Sequence, residues 1–122
     1  MEIRHRSIGA AAALDVTGRL VLGENPGNGR LKDAVTELLH SGQRDIIVNL
    51  NGVSQVDTSG LTALVSAHIA AAKRDGRMKL VNANQRLRQV LRATRLDTVF
   101  EVFDTESDAL ESVAASSGTS RP

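Results

Sequence analysis

Asp57, Thr58, Ser59 and Gly60 stand in a row between an apolar stretch that ends at Val56 and an amphipathic stretch that starts at Leu61. An acid and two hydroxyls at the start of a helix can do two kinds of chemistry. The first backbone N–H groups of a helix lack internal partners, and the helix dipole leaves partial positive charge there. A side-chain oxygen can therefore cap the helix, which contributes roughly 0.5–2 kcal/mol. A hydroxyl at this place can also be phosphorylated, because exposed amides and the dipole favour the added anion. The phosphate brings about −1.5 to −2 charges, enough to change what docks without unfolding the domain. Gly60 keeps the first turn uncluttered, so that a partner backbone or a kinase can approach. On these residues alone, the plain cap and the regulated hydroxyl both stand open.

A catalytic role for Thr58 or Ser59 lacks a base. His68 falls on the helical stripe that follows, on the order of 15 Å away at 1.5 Å per residue. It reads instead as a satisfied, partly buried histidine. No oxyanion or cofactor motif accompanies the hydroxyls, so no catalytic residue and no cofactor is assigned. His5, His40 and His68 are too scattered to form a metal site, and none is assigned. The segment from Gly23 to Gly29 holds three Gly and one Pro in seven residues and reads as a loop. It lacks the Lys-Ser/Thr ending of a phosphate-binding loop, and Arg30 is a poor substitute. A connector is the plain reading; a partner-docking loop that includes Gly27 and Asn28 is the sharper one.

The elements that must position these residues follow from periodicity. Ala12, Leu14 and Val16 alternate with Ala13, Asp15 and Thr17 as in a strand, which Gly18 breaks and Leu20-Val21-Leu22 resumes. Leu31, Ala34, Val35, Leu38 and Leu39 draw one stripe of a first helix, closed by a left-handed cap at Gly42. Ile46 to Leu50 is a nearly continuous apolar run and reads as a central strand covered on both faces. Asn51-Gly52 marks a turn, and Val53 to Val56 leads to the acid and hydroxyls. The second helix starts at Thr58 or Ser59 and runs to about Arg74, carried by Leu61, Leu64, Val65, His68, Ile69 and Ala72. Met78 to Val81 is a strand; Leu87, Val90 and Leu91 mark a third helix; Val99 to Phe103 is the last strand. Thr105-Glu106-Ser107-Asp108 opens a last helix with a capping box in which Asp replaces Glu. This alternation predicts an α/β fold. One domain covers residues 1–114, and 115–122 form a flexible tail with nothing to bury.

Composition narrows the function classes. Two Phe and no Tyr or Trp in 122 residues leave no platform for base stacking, which argues against a single-strand nucleic-acid binder. A net charge of +1 gives no global attraction to phosphate backbones or anionic membranes. The absence of Cys removes disulfides, thiolate catalysis and Cys-ligated zinc, and suits a reducing cytoplasm. No apolar run approaches the roughly 20 residues that a membrane span needs. Charge is segregated late in the chain. Arg74, Arg77, Lys79, Arg86, Arg88, Arg92 and Arg95 face only Asp75, and a run of acids from Asp97 to Glu111 follows. Solvated helix faces are the plain reading; a basic third-helix face that steers an acidic partner is the sharper one.

The stretch from Ile46-Ile47-Val48-Asn49-Leu50 through Asp57-Thr58-Ser59-Gly60-Leu61 resembles the signature of the STAS family, which includes the bacterial anti-anti-sigma factors. In that family an apolar strand, a short connector and Asp-Ser-Ser-Gly or Asp-Ser-Thr-Gly lead into the second helix. Gly76 to Asn82 is similar to the family's fourth strand, Leu87 to Leu96 to its third helix, and Val99 to Leu110 to its closing strand and helix. The resemblance implies a single STAS-like α/β domain, a mixed β-sheet with about four helices packed on it. It also implies a cytoplasmic anti-sigma factor antagonist. Unphosphorylated, such a protein binds an anti-sigma factor with serine/threonine kinase activity and releases a sigma factor. Phosphorylation at Thr58 (Ser59 being the alternative) ends the complex, and a protein phosphatase resets it. Asp57, Thr58, Ser59, Gly60, Leu61, Gly27 and Asn28 are the expected partner-binding residues. No direct contact with nucleic acid or membrane is implied, and a homodimer stays open. The alternative is a STAS subunit of a scaffold or transport complex that is not phosphorylated. Two positions depart from the family pattern. Thr stands at 58 in place of the usual Ser, and Val21 follows Gly18-Arg19-Leu20 where an acidic residue is common.

Overall fold

The computed structural model describes residues 2–9, 11–20 and 27–119. Strands β1 (Glu2–Ile8) and β2 (Ala11–Leu20) come first. Helix α1 (Gly27–His40), β3 (Asp45–Val56), α2 (Thr58–Ala72), β4 (Arg77–Val81) and α3 (Gln85–Ala93) follow in alternation. A short 3₁₀ turn at Leu96–Thr98 precedes β5 (Glu101–Phe103) and α4 (Glu106–Thr119). The strands lie side by side in chain order, β1-β2-β3-β4-β5. β1 runs antiparallel to β2, and β2 to β5 are mutually parallel. This is the mixed sheet with four helices that the family resemblance implies.

Parallel neighbours joined by right-handed crossovers must carry their helices on one face. Accordingly Leu31, Val35, Leu38 and Leu39 of α1, Leu61, Leu64, Ala67 and Ala71 of α2, and Leu87 and Leu91 of α3 share one core with Ile46, Val48 and Leu50 of β3. The opposite face takes α4 alone, where Ala109 meets Ala11, Ile47 and Val81. β3 is the middle strand, and its apolar run is covered on both faces, as its composition implies.

Two expectations about β2 and β3 are corrected, and one strand has no counterpart in the sequence pattern. Asn51-Gly52 is not a turn, because β3 runs unbroken through it to Val56. Its glycine serves a close approach instead: a Cβ on Gly52 would lie 2.5 Å from Cγ2 of Thr17 on β2. Gly18 does not end β2; with φ +94° it sits where the register shifts, and pairing continues to Leu20↔Val56. Across that pairing β3 carries two more residues than β2, in two bulges that sharpen its twist towards the end. Finally, β1 was not anticipated, because Arg4, His5 and Arg6 give it the polarity of an edge strand.

The remaining caps follow the sequence. Gly42 (φ +103°) ends α1, and the turn after α2 holds Asp75 at φ +60°. Thr105 Oγ1 accepts from the Asp108 amide at 3.1 Å to open α4. Gly27, Asn28 and Gly29 lie in the first turn of α1 rather than in a loop, and the rest of that expected loop lies outside the described residues. α4 continues through Thr119, so 115–119 of the expected tail are helical, and 120–122 lie outside the described residues.

Candidate functional site

Each parallel strand ends at the same edge of the sheet, and the following helix begins there. β2 and β3 end side by side at Leu20 and Val56, so the starts of α1 and α2 share that edge. Asp57 leaves the strand at φ −120°, ψ −172° and forms the N-cap of α2. Its Oδ1 accepts from the Gly60 amide at 3.0 Å, and its carbonyl accepts from the Leu61 amide at 3.0 Å. The cap is therefore the carboxylate, not a hydroxyl.

That assignment frees the next residue. Thr58 occupies the first helical position, is exposed, and its hydroxyl makes no hydrogen bond among the described residues. Only its backbone carbonyl is engaged, accepting from Thr62 Oγ1 at 3.0 Å. Ser59 stands beside it in the same turn. Gly60 is buried, and Leu61 is only 8% exposed and belongs to the core. Both shape the turn from below and offer a partner little surface. Of the expected binding residues, Asp57 and Thr58 are presented outward together, and Gly27 and Asn28 begin α1 at the same edge.

The neighbouring crossover closes on this edge. Asn84 caps α3 by accepting from the Leu87 amide at 2.8 Å, while its Nδ2 donates to the Val53 carbonyl at 3.4 Å. Asn84, Arg86 and Leu87 thereby enclose a small cavity with Val53, Ser54, Gln55 and Val56, the strand end that delivers Asp57. Nothing in the linear sequence signals this contact, which spans about 30 residues of chain.

A second polar constellation lies on the α4 face. Arg6 of β1 donates from Nε to Asp15 Oδ2 at 2.5 Å and also pairs with Glu106 of α4. Asn49 donates to Glu106 at 3.1 Å and accepts from Asn82 at 3.2 Å. Hydrogen bonding to Arg6 holds the Asp15 carboxyl below its usual range, and the same bonds keep the Arg6 guanidinium charged. One guanidinium thus bridges two carboxylates, and the network ties β1, β2, β3 and the residue after β4 to the start of α4. Further along, Lys79 is buried to 1% exposure, donates to Glu101 at 2.6 Å and Ser112 at 3.2 Å, and lies 5.6 Å from the ring centre of Phe103. Its ammonium thereby links β4 to both β5 and α4.

His68 packs edge-on against Phe100 at 5.3 Å and is partly buried as expected, but its Nδ1 has no hydrogen-bond partner among the described residues, so the expectation that it is satisfied is corrected. Among the described residues no three His, Cys, Asp or Glu side chains come together as a metal-binding group. No helix among them is long and apolar enough to cross a membrane.

Comparison with known proteins places this geometry in a family setting. The sequence profile of the STAS domain matches residues 12–109. A Thermotoga neapolitana protein provisionally named an anti-sigma factor antagonist is 34% identical over 77 residues, which cover 63% of this chain and 68% of that one. The crystal structure of an anti-sigma factor antagonist from Mycobacterium paratuberculosis is similar with a TM-score of 0.78 at 20% identity, covering 93% of both chains. The anti-sigma factor antagonist SpoIIAA in its unphosphorylated form is similar at 0.69 and 18% identity, over 93% of this chain and 98% of that one. The phosphorylated form of the Bacillus SpoIIAA matches at 0.68 and 18% identity, over 92% and 99%. At these identities the structural matches speak for the fold.

Proposed function

The chain belongs to the STAS-domain family, and from that premise we propose that it is an anti-sigma factor antagonist controlled by phosphorylation of Thr58. The unphosphorylated protein binds an anti-sigma factor that is also a serine/threonine kinase, and the sigma factor is set free. The kinase then transfers the γ-phosphoryl group of ATP to Thr58 Oγ1; the hydroxyl proton passes to a base of the kinase and ADP leaves. A phosphatase later delivers water to the phosphoryl group, which restores the hydroxyl and releases inorganic phosphate. This protein is the substrate of that cycle, in the cytoplasm, and catalyses none of its steps.

One observation carries the reading. Asp57 caps the first turn of α2 on the Gly60 amide, and the hydroxyl of exposed Thr58 makes no hydrogen bond among the described residues. A phosphate there enters the field of a helix N-terminus, which tolerates it, beside the Asp57 carboxylate, which does not attract it. The change is therefore read at the surface rather than in the fold. The name of the Thermotoga relative supports the antagonist role, and the likeness to SpoIIAA supports the fold that such a role uses.

Mass spectrometry after incubation with the cognate kinase and ATP tests it. The expected product carries one phosphate, on the peptide position of Thr58. Phosphate on Ser59 with none on Thr58 overturns the residue assignment, and no modification at all overturns the switch.

A further inference from the structure

Helix α3 carries a charge pattern that neither the core nor the cycle above uses. Leu87 and Leu91 bury its inner side, and Gln85, Arg86, Gln89 and Arg92 form the exposed side. Arg95 continues it just beyond the helix end. No acidic residue occurs between Gln85 and Arg95. Arg88 is neutralised within the chain, bonded to Asp104 at 2.6 Å and to the Ala83 carbonyl at 3.0 Å. The side chains of Arg86, Arg92 and Arg95 make no ion pair or hydrogen bond among the described residues. Three guanidinium groups are thus left facing solvent on a chain whose net charge is only +1.

Through Arg86 the patch reaches the strand end that leads into Asp57 and Thr58. Arg86 borders both the cavity under Val53–Val56 and a shallow groove lined by Gln85, Gln89 and Val90. A partner seated over Thr58 therefore meets α3 next. We propose that the exposed face of α3 is the electrostatic half of the docking surface and receives an acidic segment of the anti-sigma partner. This inference rests on the proposed function.

The chemistry favours carboxylates. Arginine presents a planar fork of donors that matches a carboxylate in two bonds, and the glutamines between add donors without opposing charge. A nucleic-acid backbone is a poorer occupant. Stable binding to it takes several phosphate contacts, whereas three arginines stand here on a nearly neutral chain with no aromatic residue on the helix. The arrangement also gives phosphorylation leverage. Negative charge on Thr58 arises next to the strand end that Arg86 borders, and it repels an acidic segment held there.

The test is stopped-flow association of the full chain with the cognate anti-sigma factor at low and high salt. Arg86→Glu/Arg92→Glu is compared with Lys73→Glu/Arg74→Glu, which changes the net charge equally at the far end of α2. Steering of this kind raises association rates by about 10–10³-fold, and salt screens it. The α3 variant should associate at least about tenfold more slowly at low salt, with wild-type rates approached at high salt; the control should stay within about twofold. A short poly-glutamate peptide should compete with wild type and not with the α3 variant. Wild-type binding with unchanged rates in the α3 variant overturns this inference alone, as does an equal effect of the control. Loss of affinity for duplex DNA in place of the anti-sigma factor also overturns it. Failure of wild type to bind the anti-sigma factor overturns the proposed function with it.

Discussion

The carboxylate of Asp57 closes the first turn of α2 on the amide of Gly60, at 3.0 Å. Capping and regulation are thereby divided between adjacent residues. Asp57→Ala should lower stability by about 1 kcal/mol, within the 0.5–2 kcal/mol that N-caps contribute, and Asp57→Asn by less. Thr58→Ala should change it by less than about 0.5 kcal/mol, as for an exposed surface site. Urea denaturation measures both. Equal losses at the two positions would show that the hydroxyl shares the cap.

A side chain at Gly52 would press on Thr17 across the β2–β3 pair. Gly52→Ala should destabilise by about 1–3 kcal/mol through overpacking, since Thr17 Cγ2 lies 2.5 Å from the new Cβ and the Thr17 backbone 3.2 Å. Adding Thr17→Ala should restore part of that loss, because the methyl is removed and the backbone is not. A double-mutant cycle by thermal unfolding measures the coupling; strict additivity would contradict it.

These two sites also show what the sequence could reveal. Ile46 to Leu50 and the stripe from Leu61 to Ala72 were legible because burial on two faces, or on one helical face, dictates a periodic apolar pattern. Thr58 stood out only through the likeness to the family signature, because an acid and two hydroxyls at a strand–helix junction serve equally as a plain cap, which the structure gives to Asp57. Asn51-Gly52 misled because a glycine that admits a neighbouring side chain looks, in one dimension, like a glycine that permits a turn. β1 stayed hidden because an edge strand needs apolar residues on one side only, and Arg6 spends its length on Asp15 and Glu106. The buried charge of Lys79 was invisible as well, since its partners Glu101 and Ser112 are distant in the chain.

Lys79 tests how such a buried charge is held. Its ammonium is enclosed, while the Glu101 side chain is 59% exposed, so the pair is asymmetric. Lys79→Met should be near neutral, because a similar volume replaces the charge and no partner is left buried. Glu101→Ala should cost about 1–3 kcal/mol by leaving the enclosed ammonium short of an acceptor. A larger loss for Lys79→Met than for Glu101→Ala, in denaturant melts, would contradict this.

Acid should act through Asp15. Its folded-state pKa is depressed below the ordinary 3.8, chiefly by the hydrogen bond from Arg6. The stability it contributes is therefore fully present above about pH 4–5 and is lost as pH falls through the lower folded value. Asp15→Asn should lower stability at pH 7 and flatten the acid limb below about pH 4. Thermal melts from pH 2.5 to 7 measure it, and an unchanged acid limb in the variant would contradict the assignment.

The central claim is that one hydroxyl decides whether the partner is held. The most direct measurement is the affinity of the anti-sigma factor for this protein before and after stoichiometric phosphorylation, with circular dichroism on the same samples. Binding should be lost by at least about 100-fold, or roughly 2.7 kcal/mol, while the spectrum stays unchanged, because the helix N-terminus accepts the anion and the partner does not. Thr58→Ala should bind like the unmodified protein and resist release in the presence of ATP. Equal affinity for both forms, or release of Thr58→Ala by ATP as fast as wild type, would contradict the account.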